Sequence, residues 1–202
     1  SGISINIPTS PSNFQANRLQ GKINDYRCDV TDFKNTNKII KSSRPDFVFH
    51  LAAQSLVKRS YESPLNTWKT NLIGTVNILE SLKEINKKCC AVIITSDKCY
   101  DNVEWPWGYR ENDKLGGPDP YSASKGAAEI AIHSYYKSFF SQKKSKVRIA
   151  SARAGNVIGG GDWAEDRIIP DCVKSWSKSK KVKIRNPHAT RPWQHVLEPL
   201  SG

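Results

Sequence analysis

The sequence predicts an α/β fold, a doubly wound parallel sheet, and three observations predict it. Short apolar runs of strand length alternate with stretches of helical periodicity. Polar or small residues close each run, at Asp29, at Ala52-Ala53, at Ser96-Asp97 and at Asn156. The alternation repeats as β-α-β-α-β-α-β, the order that builds a parallel sheet through crossover helices. Ligands of such sheets bind beyond the carboxyl ends of the strands, where these residues fall.

Taken in order, residues 1–7 read as a short strand stub, and residues 8–13 as a Pro/Ser turn. Residues 26–30 read as the end of a strand, after which Thr31 or Asp32 can cap a helix carrying Phe33, Ile39 and Ile40. Phe47-Val48-Phe49-His50-Leu51 is continuously apolar apart from one histidine, as a central parallel strand is. Leu65, Trp68, Leu72, Val76, Leu79 and Leu82 recur at helical spacing and predict one amphipathic helix to about Asn86. Residues 91–95 form the next buried strand. The loop over residues 101–118, rich in Trp, Gly, Pro and charge, is of a length that compact domains keep for function or leave disordered. A helix from Tyr121 to about Phe140 follows, with Asp119 as cap and Pro120 at its first position. Residues 147–152 close another strand, and Gly159-Gly160-Gly161-Asp162 opens a loop.

At 202 residues the chain can bury one substantial core but not two full domains. No apolar run is long enough to span a membrane, and no signal peptide is visible. Five cysteines, without zinc-type pairing, suit a reducing cytoplasm. The formal charge of +12 lies mainly in lysines spread over helix ends and connectors. It has neither aromatic interleaving nor a groove-reading helix, so a solvated basic surface is favoured over a nucleic-acid interface.

The chemistry centres on Tyr121 and Lys125, four residues apart and therefore on one helix face. A tyrosine hydroxyl, with a pKa near ~10, is a poor base at neutral pH. A lysine ammonium within reach favours the phenolate, which can then accept a proton from a sugar hydroxyl. The spacing alone also fits a surface tyrosine beside a solvating lysine; the capped helix and the preceding strand favour the chemical reading. A dinucleotide fold should open on a strand and a Gly-rich turn that lays pyrophosphate on a helix N-terminus. Neither is present near Ser1. The expectation is therefore an internal fragment that begins at the second strand. On its own such a piece should be marginally stable, prone to associate, unable to retain a dinucleotide and inactive.

Five stretches together carry a resemblance: His50-Leu51-Ala52-Ala53-Gln54-Ser55; Thr95-Ser96-Asp97-Lys98-Cys99-Tyr100; Asp119-Pro120-Tyr121-Ser122-Ala123-Ser124-Lys125; Arg153-Ala154-Gly155-Asn156-Val157-Ile158-Gly159-Gly160-Gly161-Asp162-Trp163; and Arg191-Pro192-Trp193-Gln194-His195-Val196. Over essentially its whole length the chain resembles the extended short-chain dehydrogenase/reductases, and within them the nucleotide-sugar 4,6-dehydratases of the branch acting on CDP-glucose. The resemblance implies a Rossmann-like fold and tightly held NAD. Residues 1–155 would be a partial NAD-binding domain carrying the catalytic residues, and 156–202 the beginning of a substrate-binding region.

It implies Asp29 and Val30 at the adenine edge of NAD, with Leu51, Ala52, Ala53 and Gln54 under the cofactor and Asn71 in the central helix. Tyr121 and Lys125 serve both cofactor and chemistry. Ser96 would hydrogen-bond the sugar hydroxyl, and Asp97 would protonate the leaving 6-hydroxyl. Most sugar 4,6-dehydratases have a glutamate next, as base for the C5 proton; here it is Lys98. Asn156 and Arg191, with Arg167 and His195 as weaker candidates, would contact the nucleotide diphosphate, for which an arginine fork is well suited. The implied reaction is a lyase's: C4 oxidation, loss of water across C5–C6 and return of hydride to C6, within polysaccharide biosynthesis in the cytoplasm. The implied partners are the nucleotide-sugar substrate and further copies in a homo-oligomer, with no metal, nucleic acid or membrane. A 4-epimerase of the same family needs Tyr121 and Lys125 but no acid at Asp97. A non-catalytic NAD-binding or partner-binding protein would be expected to lack Ser96, Tyr121 or Lys125, and all three are present.

Overall fold

The computed structural model describes residues 1–202. In chain order its elements are β1 (Gly2–Ser4), α1 (Asn13–Ala16), β2 (Asp25–Arg27), α2 (Phe33–Ser43), β3 (Phe47–His50), α3 (Val57–Glu62), α4 (Pro64–Trp68), α5 (Gly74–Lys83), β4 (Cys89–Ile94), α6 (Pro120–Tyr135), β5 (Val147–Ala152), β6 (Val157–Ile158), α7 (Ile168–Trp176), β7 (Gln194–His195) and α8 (Leu197–Ser201). The chain divides into two compact units. One holds Ser1, Ile3–Ile5 and Tyr26–Ala154; the other holds Gly2, Asn6–Asp25 and Gly155–Gly202.

The first unit is α/β, built on a three-stranded parallel sheet of order β3-β4-β5. β1 and β2 pair in a separate two-stranded sheet, which leaves β3 as an edge strand. β2 ends at Arg27, and the expected strand does not run on to Val30, which lies in a turn closed by Asp32 N donating to Asp29 O at 2.9 Å. Of the two expected caps for α2, Asp32 takes the role, accepting from Asn35 N at 3.1 Å. In-register partners in a parallel sheet share a face. Val48, Ala91 and Ile149 form one row, and His50, Ile93 and Ser151 the next. On this face Ala91, Ile93 and Val147 pack with Ile78, Leu79 and Leu82 of α5 and Ile132 of α6. Each strand contributes alternate residues to that core, and the helices contribute their apolar stripes.

The single helix expected from Leu65 to about Asn86 is corrected by the structure. α4 and α5 are separated by a π turn, Lys69–Ile73, and the helical stretch ends near Lys83. A π turn inserts one residue without ending the helix, so apolar periodicity averages over it and cannot reveal it. A second π turn, Tyr136–Phe140, ends the α6 stretch and buries Phe140. The second unit contains the parallel pair β6-β7 and the amphipathic helix α7. No helix of the chain is long and apolar enough to cross a membrane.

Candidate active site

α6 begins with a cap that fixes its first turn. Asp119 accepts from Ser122 N at 2.9 Å and from Ser122 Oγ at 2.6 Å, with Pro120 opening the helix. This places Tyr121 in the first turn and Lys125 one turn later, and both are buried. Lys125 Nζ donates to Ile94 O at 3.2 Å. Burial brings the Lys125 pKa down to about 8, against the opposing pull of Glu129 and Cys99. Gly126 permits this close seat, because a Cβ there would stand 3.1 Å from both Cys99 O and Gly116 N.

β4 ends at Ile94, and the chain then turns through a short 3-10 helix, Asp97–Cys99. Buried Ser96 accepts from Lys98 N at 3.2 Å and donates to Asp97 Oδ1 at 3.0 Å. Asp97 N donates to Ala154 O at 3.1 Å, anchoring the turn to the chain just after β5. Asp97 and Lys98 are half-buried. Cys99 is fully buried, and burial pushes its thiol up to about 11, so it is no nucleophile at neutral pH.

The loop after β3 is held by the π turn. Gln54 N donates to Asn71 Oδ1 at 2.8 Å, and Asn71 Nδ2 donates back to Gln54 O at 3.0 Å. The same Asn71 amide donates to Ser124 Oγ at 2.9 Å, and Ser124 donates to Tyr121 O at 2.7 Å. Asn71 therefore joins the β3 loop to the helix of Tyr121 and Lys125. π turns inside α-helices are frequent at functional sites, and here the turn carries the joining residue. Leu51 is exposed, Ala52 and Ala53 are half-buried, and Gln54 is buried and donates to Thr67 Oγ1 at 2.9 Å. Asp29 Oδ1 accepts from Thr31 N at 2.8 Å and lines a cleft of about 540 Å³ with Tyr26, Cys28 and Asn35. Val30 is buried, its carbonyl accepts from Asn77 Nδ2 at 2.9 Å, and a Cβ on Gly74 would meet Val30 Cγ2 at 2.7 Å.

Sequence reasoning passed over four polar residues of this region. His50 Nε2 lies 3.1 Å from Thr75 Oγ1, which donates to Asn71 O at 2.7 Å. Burial first, and then the Lys125 charge, lowers the His50 pKa to about 4. Glu129, one turn beyond Lys125, is buried and ion-paired with Arg153 at 2.9 Å. Glu129 stands at helical spacing from Lys125 between Ala128 and Ile130, and Arg153 directly after β5, but neither position by itself marks the other as its partner.

The remaining candidates lie in the second unit. Asn156 O accepts from Gln194 N at 3.0 Å beside the β6-β7 pair. Arg167 stands at the N-cap position of α7 and pairs with Asp162 at 3.3 Å. Arg191 is exposed, its Nη1 donating to Thr190 O at 2.6 Å, and His195 Nδ1 accepts from Leu197 N at 3.3 Å. No group of three or more His, Cys, Asp or Glu side chains is placed to hold a metal ion.

A family described as GDP-mannose 4,6 dehydratase matches residues 7–201. The chain is 51% identical over its whole length to the CDP-glucose 4,6-dehydratase of Salmonella typhimurium, and spans 57% of that relative. Among solved structures it is similar to the dTDP-glucose 4,6-dehydratase of Bacillus anthracis in complex with NAD, at a TM-score of 0.77 and 23% identity. That match covers 98% of this chain and 60% of the other. The UDP-glucose 4-epimerase of Thermotoga maritima, solved with UDP-glucose, also gives a TM-score of 0.77, at 22% identity, covering 90% of this chain and 59% of the other. At such identities the structural matches establish a shared Rossmann-like fold.

Proposed function

The chain belongs to the GDP-mannose 4,6-dehydratase family, and on that premise we propose that it supplies the catalytic residues of an NAD-dependent dehydratase acting on CDP-glucose. The observation that carries this reading is the buried Tyr121–Lys125 pair on α6, with Ser96 and Asp97 at the end of β4. The 51% identity to a CDP-glucose 4,6-dehydratase supports the substrate.

The residues present fit NAD. The backbone after β3 is pinned by Asn71 at Gln54, directly after the small side chains of Ala52 and Ala53. Lys125 uses one donor on Ile94 O, leaving donors for the hydroxyls of a ligand. Asp29, Val30, Leu51, Ala52, Ala53, Gln54, Asn71, Tyr121 and Lys125 would hold the cofactor. When bound, NAD would supply the hydride acceptor for sugar C4 and the hydride donor for C6. Tyr121 accepts the C4 hydroxyl proton, assisted by the Lys125 ammonium, while Ser96 hydrogen-bonds that hydroxyl. The resulting ketone acidifies C5–H, and Lys98 is the neighbouring group to remove that proton. Asp97 delivers a proton to the departing 6-hydroxyl. Asn156, Arg167 and Arg191 contact the nucleotide diphosphate. In this reading residues 1–155 form the NAD-binding part and 156–202 begin the substrate-binding region. The whole protein is a cytoplasmic homo-oligomer in polysaccharide biosynthesis, acting on no nucleic acid or membrane.

The test uses the complete protein with CDP-glucose labelled with deuterium at C4. The expected product is a 4-keto-6-deoxy sugar with deuterium at C6. Tyr121→Phe should retain NAD yet lose about 10²–10⁴-fold in kcat, and near-normal turnover in that variant would remove Tyr121 from the chemistry. Inertness towards CDP-glucose together with interconversion of UDP-glucose and its 4-epimer would assign an epimerase instead.

A further inference from the structure

Glu129 is a carboxylate inside the domain that the reaction above does not use. It is 4% exposed. Thr95 Oγ1 donates to its Oε1, while Ser151 Oγ and Arg153 Nη2 donate to its Oε2 at 3.0 and 2.9 Å. Burial pushes the carboxyl up, but Arg153, Thr95 and Ser151 outweigh it and hold its pKa below the usual value. The side chain is thus an anion at neutral pH. A buried ion pair is weak evidence for stability, since apolar residues of similar volume often serve as well. What its partners adjoin says more about its role.

Thr95 lies between Ile94, whose carbonyl receives the Lys125 ammonium, and Ser96. Arg153 precedes Ala154, whose carbonyl receives Asp97 N. Arg153 Nη1 also donates to Tyr100 Oη at 2.8 Å and to Glu111 O at 3.0 Å, and its guanidinium stands 4.9 Å from the Tyr100 ring centroid. Tyr100 in turn stacks on Tyr109 at 5.0 Å. One carboxylate therefore ties α6 to the ends of β4 and β5 and, through Arg153, to the long loop over residues 101–118.

We propose that Glu129, paired with Arg153, is a positioning residue for the reaction: it locks the strand ends that carry Ser96 and Asp97 to the helix that carries Tyr121 and Lys125, and its negative charge sustains the Lys125 ammonium. The inference rests on the dehydratase reading above. The groups acting on Lys125 are Glu129 from α6 and Cys99 from the turn after β4, with Arg153 at the end of β5 balancing Glu129, while the Lys125 charge acts in turn on His50 of β3. Cys99 remains a neutral thiol, and His50 a neutral imidazole, at neutral pH. Glu129 is then the anion among them. Removing its charge lets Lys125 lose its proton at lower pH, and the cation that favours the Tyr121 phenolate goes with it.

The experiment compares the complete protein, loaded with NAD, with E129Q and E129D. The kcat–pH profile for CDP-glucose is measured alongside the titration of Lys125, followed by NMR at its labelled Cε. In E129Q the alkaline limb and the Lys125 titration should both move down by about one pH unit, while E129D, which keeps the charge, should stay near wild type. An unmoved Lys125 titration in folded E129Q overturns the proposal. If E129Q does not fold, E129Q/R153M, which leaves no buried charge unpaired, is compared with R153M, and Lys125 should titrate at lower pH in the double variant; equal titrations in the two would overturn the proposal. A wild-type protein inert towards CDP-glucose would end the dehydratase reading, and the Lys125 titration would still decide the role of Glu129.

Discussion

The two faces of the β3-β4-β5 sheet differ sharply. On one, Cys89, Ala91, Ile93 and Val147 are nearly fully covered, and the helices above them carry Tyr121, Lys125 and Asn71. On the other, the row Phe47, Cys90 and Arg148 and the row Phe49, Val92 and Ala150 look outward. Phe47 is 68% and Phe49 64% exposed. Parallel sheets normally bury both faces, and these strands have the composition for it. The contrast teaches where the site's order comes from. The buried hydrogen bonds of Lys125 and Glu129 run to the ends of β4 and β5, where a misplaced polar group is costly.

The contrast can be broken most strongly at its core. Leu79→Ala, at a fully covered position of α5, should cost about 2–5 kcal/mol in urea unfolding, because the surrounding face cannot collapse into the gap. A loss below about 1 kcal/mol would mean the covered face is loosely packed.

Acid should attack the same face. The folded-state pKa of His50 is about 4, below its ordinary 6.5, so below pH 6.5 the unfolded chain binds more protons. The stability from burying a neutral imidazole is present above pH 6.5 and is lost as pH falls towards 4, on the order of 3 kcal/mol in all. Unfolding free energies measured across that range should fall, and His50→Asn should flatten the slope. An unchanged slope in His50→Asn would place the acid sensitivity elsewhere.

A smaller effect is expected at the π turn. Asn71→Ala leaves the backbone of Gln54 and the hydroxyl of Ser124 without their partner, at a cost of about 1–3 kcal/mol. Hydrogen exchange at Gln54 N should rise with it, and continued protection there would show that the turn does not hold the loop.

The smallest effect belongs to the open face. Phe47→Thr and Phe49→Thr should change stability by no more than about 0.5 kcal/mol while reducing binding of an apolar dye. A large destabilisation would show that this face is covered in solution.

Much of this was legible in the sequence. The three strands of the parallel sheet, the capped start of α6 at Asp119 and the Tyr121–Lys125 spacing each follow from a local rule: strand-length apolar runs, an N-cap before proline, or two residues one turn apart. Ser96 and Asp97 were legible because they follow directly on a strand. The π turn was not, since a single inserted residue leaves the apolar stripe readable as one helix. Nor was Glu129, whose partners come from strand ends far away in the chain.

The sequence by itself determined which segments become strands and helices, and it put a tyrosine and a lysine on one helix face. Periodicity and capping are local, and a few neighbouring residues suffice to specify them. Only the tertiary structure decided that Lys125 is buried against Ile94 O, that Asn71 joins the β3 loop to α6, and that Glu129 closes the strand ends with Arg153. These depend on groups brought together across the fold, and the strength of a hydrogen bond or a charge there is set by the burial that folding alone creates.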